Sequence, residues 1–399
     1  MKVTVAQLGA RMHYAVPRIL AMNGCLERLY TDFFVSESHG PGRYLPSWLP
    51  SQLVRRAGTR RDPGIPSNRV TTYPALGIEQ AIRLRFSRSH ESTMKTFVDI
   101  AVRFGNRVAA TGLKGADAVY CFNGAGLEIL QAARRLGRRS FLEQTIAPRE
   151  VERQLIAGER EKFPGWENAV SPIGRYDEDF VAREREEHAL ADLIICGSQF
   201  VVNCLPEHLR SKSIVVPYGV DSRFQWSSRK RSGGPLRVLT VGAVGLRKGA
   251  PYTVAAAITL KGQAVFRMIG KVHLSEPMAR DVASHVELLG EVPRSDICAH
   301  YQWADVLLLP SICEGSATVV YEALATGLPV ICTPNVGSIV RDGMDGFVIE
   351  TGSSEAIVEA LLRIRNEGMV IDQDAASRAS LQRYESDLIE AINPAGRVS

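Results

Sequence analysis

Residues 310–331 read PSICEGSATVVYEALATGLPVI, and this stretch decides the fold. The apolar run Val306–Leu309 comes directly before it, and the apolar run 329–332 closes it. Because short apolar runs around a helix-length segment are typical of buried strands, the pattern predicts a strand, a loop, a helix and a strand. Glu314 falls on the loop and Glu322 on the helix. In an open α/β sheet such a loop lies at the carboxyl end of a strand, where ligands bind.

Strand-like and helical stretches alternate along the chain, for example around the helical patterns 126–136 and 177–191. This alternation favours parallel sheets with helices on both faces. A polar, basic, Ser- and Gly-rich segment at 224–235 interrupts it and has the composition of a linker. The predicted strands are 3–7, 70–73, 118–122, 140–144, 193–196 and 213–216 before this segment, and 238–241, 264–269, 286–289, 306–309, 330–333 and 347–350 after it.

The predicted fold class is therefore α/β, with two Rossmann-like, doubly wound domains that face a cleft. We expect a first domain at 1–222, a linker at 223–235 and a second domain at 236–375. A helix at about 376–392 could pack back on the first domain. A cleft between two such domains is a favoured place for a ligand.

Composition excludes several classes of protein. The 399 residues are 45% hydrophobic and 23% charged, which is ordinary for a globular chain. The sequence contains no uncharged apolar run of membrane-spanning length, and its first residues lack the apolar core of a signal peptide. The seven cysteines are odd in number and form no C-x-x-C, so we expect free thiols, a reducing compartment and a cytoplasmic location. The histidines lack ligand spacing, and no metal site is predicted.

Charge is distributed unevenly. Residues 1–110 hold 16 Lys and Arg against 7 Asp and Glu, a net +9 in a chain of net +5. This favours an anionic partner, either a phosphorylated substrate or a membrane surface. Nucleic acid is not expected, because the basic residues are scattered and no binding motif accompanies them. Residues 43–61 mix aromatic, leucine and arginine side chains, which suits peripheral contact with the inner face of a membrane. The alternative is an insertion loop that packs on its own domain.

Several motifs together resemble one known family. The pattern E-G-x6-E-A-x-A-x-G-x-P-V-I in 314–331 resembles the hallmark of the family-4 retaining glycosyltransferases, which have the two-domain GT-B fold. The resemblance extends from 192 to about 364 and is weaker in 1–190. Further matching segments follow in the family's order: VPYGVDSRF at 216–224, VLTVGAVGLRKG at 238–249, ADVLLLP at 304–310 and VGSIVRDGMDGF at 336–347.

The resemblance implies roles on the donor side of the cleft. Glu314 would face the donor sugar, where a carboxylate favours the positive charge that develops at the anomeric carbon. Glu322 would accept hydrogen bonds from the ribose hydroxyls, and Lys248 would neutralise the diphosphate. The family usually has an arginine where this chain has Ala243. Arg247 is our candidate for that missing cation, and a solvated turn is the alternative for it.

Small residues and a helix start complete the predicted donor site. The helix is expected to begin near Ala317 or Thr318, with free N–H groups and a positive dipole end that suit a diphosphate without a metal. Ser316 and Ala317 replace the commoner Phe-Gly after the first glutamate, and both are small enough for close approach of a sugar or phosphate. The predicted donor-binding set is Glu322, Gly242, Gly245, Gly315, Ser316, Ala317 and Thr318.

Three residues are candidates on the acceptor side, which the resemblance assigns to the first domain. Gly9 permits a tight turn after the first strand. His13 would follow it near the cleft and could bind acceptor or donor sugar, or be merely structural. Gln144 ends a strand where many relatives have a histidine, and it is a candidate polar contact.

The implied reaction is retaining transfer of a hexosyl group from a nucleotide diphosphate sugar to an acceptor hydroxyl. The nucleotide sugar is a co-substrate, and no further cofactor is expected. The acceptor would be a saccharide or lipid-linked, in polysaccharide or glycolipid synthesis. Alternatives are a nucleotide-sugar epimerase or a phosphorylase on the same fold. A non-catalytic nucleotide-sugar-binding protein is another, although it would be expected to have lost donor residues. A membrane scaffold would rest on residues 43–61 alone.

Overall fold

The amino-terminal half of the chain folds around a parallel sheet. The computed structural model describes residues 1–35, 60–168, 173–228 and 233–393. Its first sheet has seven strands in the order β3-β2-β1-β4-β5-β6-β7, all paired in parallel. The strands are β1 (Val3–Gln7), β2 (Leu26–Thr31), β3 (Val70–Thr72), β4 (Ala118–Phe122), β5 (Arg139–Gln144), β6 (Leu193–Cys196) and β7 (Ser213–Val215).

The second half repeats this architecture. Its sheet has six parallel strands in the order β10-β9-β8-β11-β12-β13. In each sheet the strand order reverses beside the domain's first strand, and ligands bind at such switch points. The predicted class of two Rossmann-like, doubly wound domains is confirmed. The strands are β8 (Leu236–Val241), β9 (Ala264–Ile269), β10 (Glu287–Gly290), β11 (Val306–Leu309), β12 (Val330–Cys332) and β13 (Gly346–Val348).

Helices cover both faces of the two sheets. In the first half they are α1 (Ala15–Met22), α2 (Pro74–Phe86), α3 (His90–Ala109), α4 (Leu127–Arg135), α5 (Arg149–Lys162), α6 (Arg175–Leu190), α7 (Gln199–Cys204) and α8 (Glu207–Arg210). In the second half they are α9 (Ala250–Thr259), α10 (Glu276–Ala283), α11 (Ile297–Trp303), α12 (Thr318–Ala325), α13 (Ser354–Glu367), α14 (Asp374–Arg378) and α15 (Leu381–Ile392). Short 3-10 turns occupy Arg11–Tyr14, Ser67–Arg69, Leu246–Lys248 and Pro334–Val336.

Strand β2 was not predicted. Its sequence LERLYT places Glu27 and Arg28 beside each other, so the apolar residues neither alternate nor form a continuous run. Both polar side chains are half-buried in the sheet. The strand lies between β1 and β3, and its backbone pairs with both neighbours, which stabilises it despite the weak pattern.

Two helices pack across the domains. Helix α5 lies in the first half of the sequence, yet Glu159 on it accepts a hydrogen bond from the Tyr252 hydroxyl of the second domain at 2.8 Å. Conversely, α15 follows the second domain and packs on the first. The Tyr384 ring meets Tyr218 edge-on at 5.8 Å, and Asn23 donates to Glu385 at 2.7 Å. Each domain thus contributes a helix to the surface of the other.

Some predicted segments fall on parts of the chain that the structure does not describe. The proposed membrane segment 43–61 lies outside the described residues except for Arg60 and Arg61, and Arg60 forms an ion pair with Asp32. The predicted linker 223–235 is described only in part. Within the described ranges, no helix has both the length and the apolar character needed to span a bilayer. The seven cysteines are free thiols, as predicted.

Candidate active site

Two cations converge on one carboxylate between the domains. Glu314 Oε1 accepts from Arg247 Nη1 at 2.6 Å and from Lys248 Nζ at 2.8 Å. The Glu314 and Lys248 side chains are 12% and 10% exposed, whereas Arg247 is 34% exposed. Sequence reasoning selected all three, and the structure brings them together.

The switch point of the second sheet explains this convergence. Strands β8 and β11 are neighbours, so the turn after β8 and the loop after β11 leave the sheet side by side. The backbone N–H of Ile312 donates to the Arg247 carbonyl at 2.9 Å, which fixes the two segments together. Gly249 ends the 3-10 turn in the left-handed region with φ 71°, against the Pro310 carbonyl, and an added side chain would overlap that oxygen.

Burial lowers the pKa of Lys248, and the nearby Arg247 lowers it further, while the Glu314 carboxylate opposes both effects. A buried ammonium is disfavoured unless a negative charge compensates it. Glu314 therefore holds two positive charges in a place that water reaches poorly. Such a cluster can bind an anion, because an incoming anionic group can replace the carboxylate as partner of either cation.

Glu322 lies about one helical turn into α12. Its Oε2 accepts from the Tyr301 hydroxyl at 2.7 Å. Burial raises the pKa of Glu322, while the Tyr301 hydrogen bond and the charge of Arg294 lower it. Among the residues that the structure describes, Oε1 of Glu322 accepts no hydrogen bond, and the predicted ribose contact needs such an acceptor.

The loop after Glu314 is wedged against the first domain. The Ser198 hydroxyl donates to the Gly315 carbonyl, and a Cβ added to Gly315 would overlap the Thr145 carbonyl oxygen. The Ser316 hydroxyl pairs with the Tyr321 hydroxyl at 2.6 Å and is buried. This hydrogen bond fixes the Ser316 side chain inside the domain, and the small residue that was predicted at this place lies next to the start of α12.

Helix α12 begins at Thr318, as predicted, with Ala317 as its cap. No side chain caps this end, so its first N–H groups have no side-chain acceptor and can meet an anion. The other predicted glycines shape the facing turn. Gly242 has φ 136° and packs against the Lys248 side chain. The turn at Gly245 is held from the first half of the chain, because Glu167 accepts from the Leu246 N–H at 2.9 Å.

The first-domain candidates Gly9 and His13 lie at the end of β1. Gly9 adopts φ 76°, and its N–H donates to Asp32 at 2.9 Å. His13 Nδ1 accepts from the Arg294 guanidinium at 3.2 Å, so this histidine faces the second domain. Burial and the positive charge of Arg294 lower the pKa of His13 to about 4, which keeps the imidazole neutral. Met12 and His13 both have left-handed backbone, a strained conformation that is common at functional turns.

Gln144, the third acceptor-side candidate, is bonded inside the first domain. Its side chain is fully buried, and its amide donates to Glu184 at 2.9 Å and to the Ile146 carbonyl at 3.0 Å. The Gln144 carbonyl oxygen pairs with His188 Nε2 at 2.8 Å. All of its hydrogen-bonding groups are engaged inside the first domain, so Gln144 positions the loop after β5 and has no free group for an acceptor.

A cavity of about 930 Å³ opens at the carboxyl ends of the first-domain strands. Sequence reasoning missed most of the residues around it, since only Gly9 was a candidate. The available signal was position: many of them directly follow β1, β2, β4 or β5. The cavity is lined in part by Arg11, Ile78, Ala81, Leu84, Arg85, Met94, Phe97, Ala101 and, from the second domain, Lys271.

Two further contacts escaped sequence reasoning. Ser198 follows β6 and starts α7, which reads as an ordinary helix cap, yet it also bonds to Gly315 across the cleft. Arg294 lies in a turn with no motif of its own. Among the described residues, no group of three or more His, Cys, Asp or Glu side chains could hold a metal ion.

The two facing Rossmann-like domains, with a charged cluster at the switch point of the second, define the GT-B fold. Residues 235–367 match the family model described as glycosyl transferases group 1. The second domain is therefore similar to a glycosyltransferase group 1 domain over a stretch that contains Lys248, Glu314 and Glu322.

Curated relatives agree with this assignment. One is an uncharacterized glycosyltransferase of Methanocaldococcus jannaschii, 30% identical over 182 residues, which are 44% of this chain and 50% of the relative. Another is a putative colanic acid biosynthesis glycosyltransferase of Salmonella typhimurium, 30% identical over 211 residues, or 48% of this chain and 46% of the relative. The chain thus spans about half the length of these relatives.

Solved structures share the fold over the full chain. Sucrose-phosphate synthase from Thermosynechococcus elongatus superposes with a TM-score of 0.67 at 15% identity, covering 100% of both chains. Anabaena HepE, in complex with UDP and glucose, gives a TM-score of 0.61 at 13% identity, covering 99% of this chain and 100% of its own. At these identities the likeness concerns the fold.

Proposed function

We propose that this protein is a retaining hexosyltransferase that moves a sugar from a nucleotide diphosphate sugar to an acceptor hydroxyl. The acceptor is a saccharide or lipid-linked, in polysaccharide or glycolipid synthesis. The observation that carries the proposal is the convergence of Arg247 and Lys248 on Glu314 at the switch point of a glycosyltransferase group 1 domain. The names of the relatives, which include colanic acid and teichuronic acid biosynthesis, support the synthetic role.

In the proposed reaction the donor diphosphate lies between the two cations and the start of α12. Lys248 and Arg247 neutralise the charge that grows on the diphosphate as the glycosidic bond breaks. This supply of positive charge supports a reaction that needs no metal ion. Arg247 then takes the part of the cation absent at Ala243. Glu314 faces the sugar and stabilises positive charge at the anomeric carbon.

Retention follows in this proposal from attack on the face that the diphosphate leaves. The acceptor hydroxyl gives its proton to the departing phosphate oxygen, and no separate base is required. The first-domain cavity lies beside the Glu314 loop, since Gly315 abuts Thr145 on the cavity wall. A cavity next to the donor site favours transfer to an acceptor over an epimerase, which needs none.

The test replaces Glu314 by Ala in the full chain and measures sugar transfer and donor hydrolysis. We expect transfer to fall at least about a hundredfold, the effect of removing one group that stabilises a transition state. The matched control is Glu359→Ala, which removes an exposed carboxylate from α13 in the same domain and should leave transfer unchanged. Near-normal transfer by the Glu314 variant would overturn the assignment.

A further inference from the structure

The first-domain cavity combines two kinds of surface. Ile78, Ala81 and Leu84 lie three residues apart on α2 and present one apolar face of that helix to the cavity. Across from them, α3 contributes an apolar face of its own through Met94, Phe97 and Ala101. Phe97 remains 37% exposed, although it is a large aromatic side chain. An apolar wall that stays open to water favours a ligand with an apolar portion.

The acidic residues of the cavity have partners in the protein, whereas several of its basic residues form no such contact in the part of the chain that the structure describes. Its three carboxylates all have partners in the protein. Asp32 pairs with Arg60, and Glu152 accepts from Arg149 at 2.8 Å. Glu184 accepts from the Arg149 N–H at 2.7 Å. Asp32 and Glu152 thus have cationic partners, whereas neutral donors hold Glu184.

Three cations of the same cavity form no direct contact of this kind with the described residues, although the charge of Arg11 acts on the buried Glu143 carboxylate. Within the described ranges of the chain, the side chains of Arg11, Arg85 and Lys271 form no ion pair or hydrogen bond. The contrast with Arg83 on the same helix is informative, because Arg83 faces α3 and pairs with Asp99 at 2.7 Å. Arg85 instead lines the cavity and is exposed. Uncompensated positive charge in a concave site attracts anions.

Both domains contribute to this charge. Arg11 follows β1 in the first domain, whereas Lys271 follows β9 in the second and reaches the same cavity. An anion held by both would lie between the domains, close to the Glu314 loop. The position is therefore suited to the part of an acceptor that lies next to its reacting sugar.

We infer that the cavity binds an amphiphilic acceptor, in which a phosphate ester contacts Arg11, Arg85 and Lys271 and an apolar chain lies along α2 and α3. This inference rests on the proposed function and specifies its acceptor. A soluble sugar phosphate would satisfy the cations but leave the apolar faces uncovered. A neutral glycolipid would cover those faces but leave the cations unmatched.

The test measures binding to the full chain by isothermal titration, with no donor present. The probes are decyl phosphate below its micellar concentration, glucose 1-phosphate and decyl glucoside. We expect decyl phosphate to bind at least tenfold more tightly than either of the others, because each of those lacks half of the recognised chemistry. Equal binding of decyl phosphate and decyl glucoside, or of decyl phosphate and glucose 1-phosphate, would overturn the inference.

Paired variants separate the two contacts. Arg85→Gln and Lys271→Gln should each weaken decyl phosphate about fivefold, the upper range for a partly exposed ion pair. Arg88→Gln removes a similar exposed charge outside the cavity and should change affinity less than twofold. Phe97→Ser should weaken the binding of decyl phosphate about tenfold and leave the binding of glucose 1-phosphate unchanged. Phe86→Ser, outside the cavity, should leave both affinities unchanged. If Arg85→Gln and Arg88→Gln lowered the affinity for decyl phosphate equally, the binding would reflect general electrostatic attraction to a basic surface. That result would contradict the proposed site.

The donor side is tested separately, by thermal shift of the same protein with a panel of nucleotide sugars. A nucleotide sugar that binds the folded chain raises its melting temperature. Stabilisation by a nucleotide sugar together with failure of the decyl phosphate test would overturn the acceptor inference and leave the proposed function standing. Binding of decyl phosphate without any donor effect would count against the proposed function alone.

Discussion

At the scale of single residues, one carboxylate oxygen organises the proposed donor site. Arg247 and Lys248 both contact Glu314 Oε1. Two cations this close repel each other, and a negative charge between them offsets that repulsion. Glu314 supplies that charge before any substrate arrives. A donor diphosphate would provide new partners for the cations and release the carboxylate toward the sugar. The same three side chains can thus serve both the free and the donor-bound protein.

The protonation state of Lys248 gives a pH prediction. Burial lowers the pKa of this lysine below 10.5, so it loses its charge at a lower pH than an exposed lysine does. Because the proposed reaction needs the ammonium form, kcat/KM for transfer should decline as pH rises through this lowered pKa. A pH profile from 7 to 10.5 measures it.

The matched variant for this profile is Lys248→Arg. Arginine keeps its charge throughout the range, so its transfer rate should be lower but free of the alkaline decline. The same decline in both proteins would assign it to another group.

At the scale of secondary-structure elements, the sequence predicts best the strands that are buried on both faces of a sheet. Strands such as β4 and β11 are buried on both faces, so their residues are continuously apolar and their bounds were predicted without error. Strand β2 lacks that pattern and was missed. The start of α12 at Thr318 was also predicted, because the family motif fixes the loop length before it. Motifs and apolar runs depend on local sequence, so both can be recognised without knowledge of the tertiary structure.

The contacts between elements were mostly beyond sequence reasoning. Glu159 is one of several charged residues in the sequence of α5, and nothing there indicates that the Tyr252 hydroxyl of the other domain will donate to it. Gln144 was chosen by its place at a strand end, and its burial by Glu184 and His188 depends on a helix 40 residues away. The residues of the proposed donor side come from two short motifs, at 238–249 and 314–331. The acceptor side is assembled from separate loops and helices.

Helix α15 offers a stability prediction at this scale. Tyr384 is 1% exposed and packs edge-on against Tyr218 of the first domain. Tyr384→Ala should lower the free energy of unfolding by about 3–5 kcal/mol, as for other large aromatic side chains truncated in a core. Gln382→Ala, on the exposed face of the same helix, should change it by less than about 0.5 kcal/mol. Urea denaturation compares the two, and equal losses would mean that α15 does not stabilise the fold through this contact.

At the scale of the whole molecule, the two domains are joined by three kinds of contact. Helices α5 and α15 each pack on the opposite domain, and the loop after Glu314 inserts between the β5 and β6 loops of the first. The His13–Arg294 hydrogen bond spans the cleft nearby. Helix α5 packs on the 3-10 turn that holds Arg247 and Lys248, and the loop after Glu314 is itself part of the site. Closure of the cleft therefore brings the first domain against the loop of the proposed donor site, and such closure excludes water from the reaction.

Gly315 makes this coupling testable. A methyl group added there would overlap the Thr145 carbonyl oxygen, and backbone atoms on both sides cannot move aside cheaply. Gly315→Ala should therefore separate the domains at the cleft, raise the radius of gyration measured by small-angle X-ray scattering, and lower kcat for transfer at least about tenfold. Gly158→Ala is the control, because Gly158 lies within α5 with no neighbour within 4 Å of the added carbon. That variant should keep the radius and the rate, and its stability should rise by about 0.5–1 kcal/mol because alanine favours the helix. Full activity and an unchanged radius in Gly315→Ala would show that the loop adapts without opening the cleft.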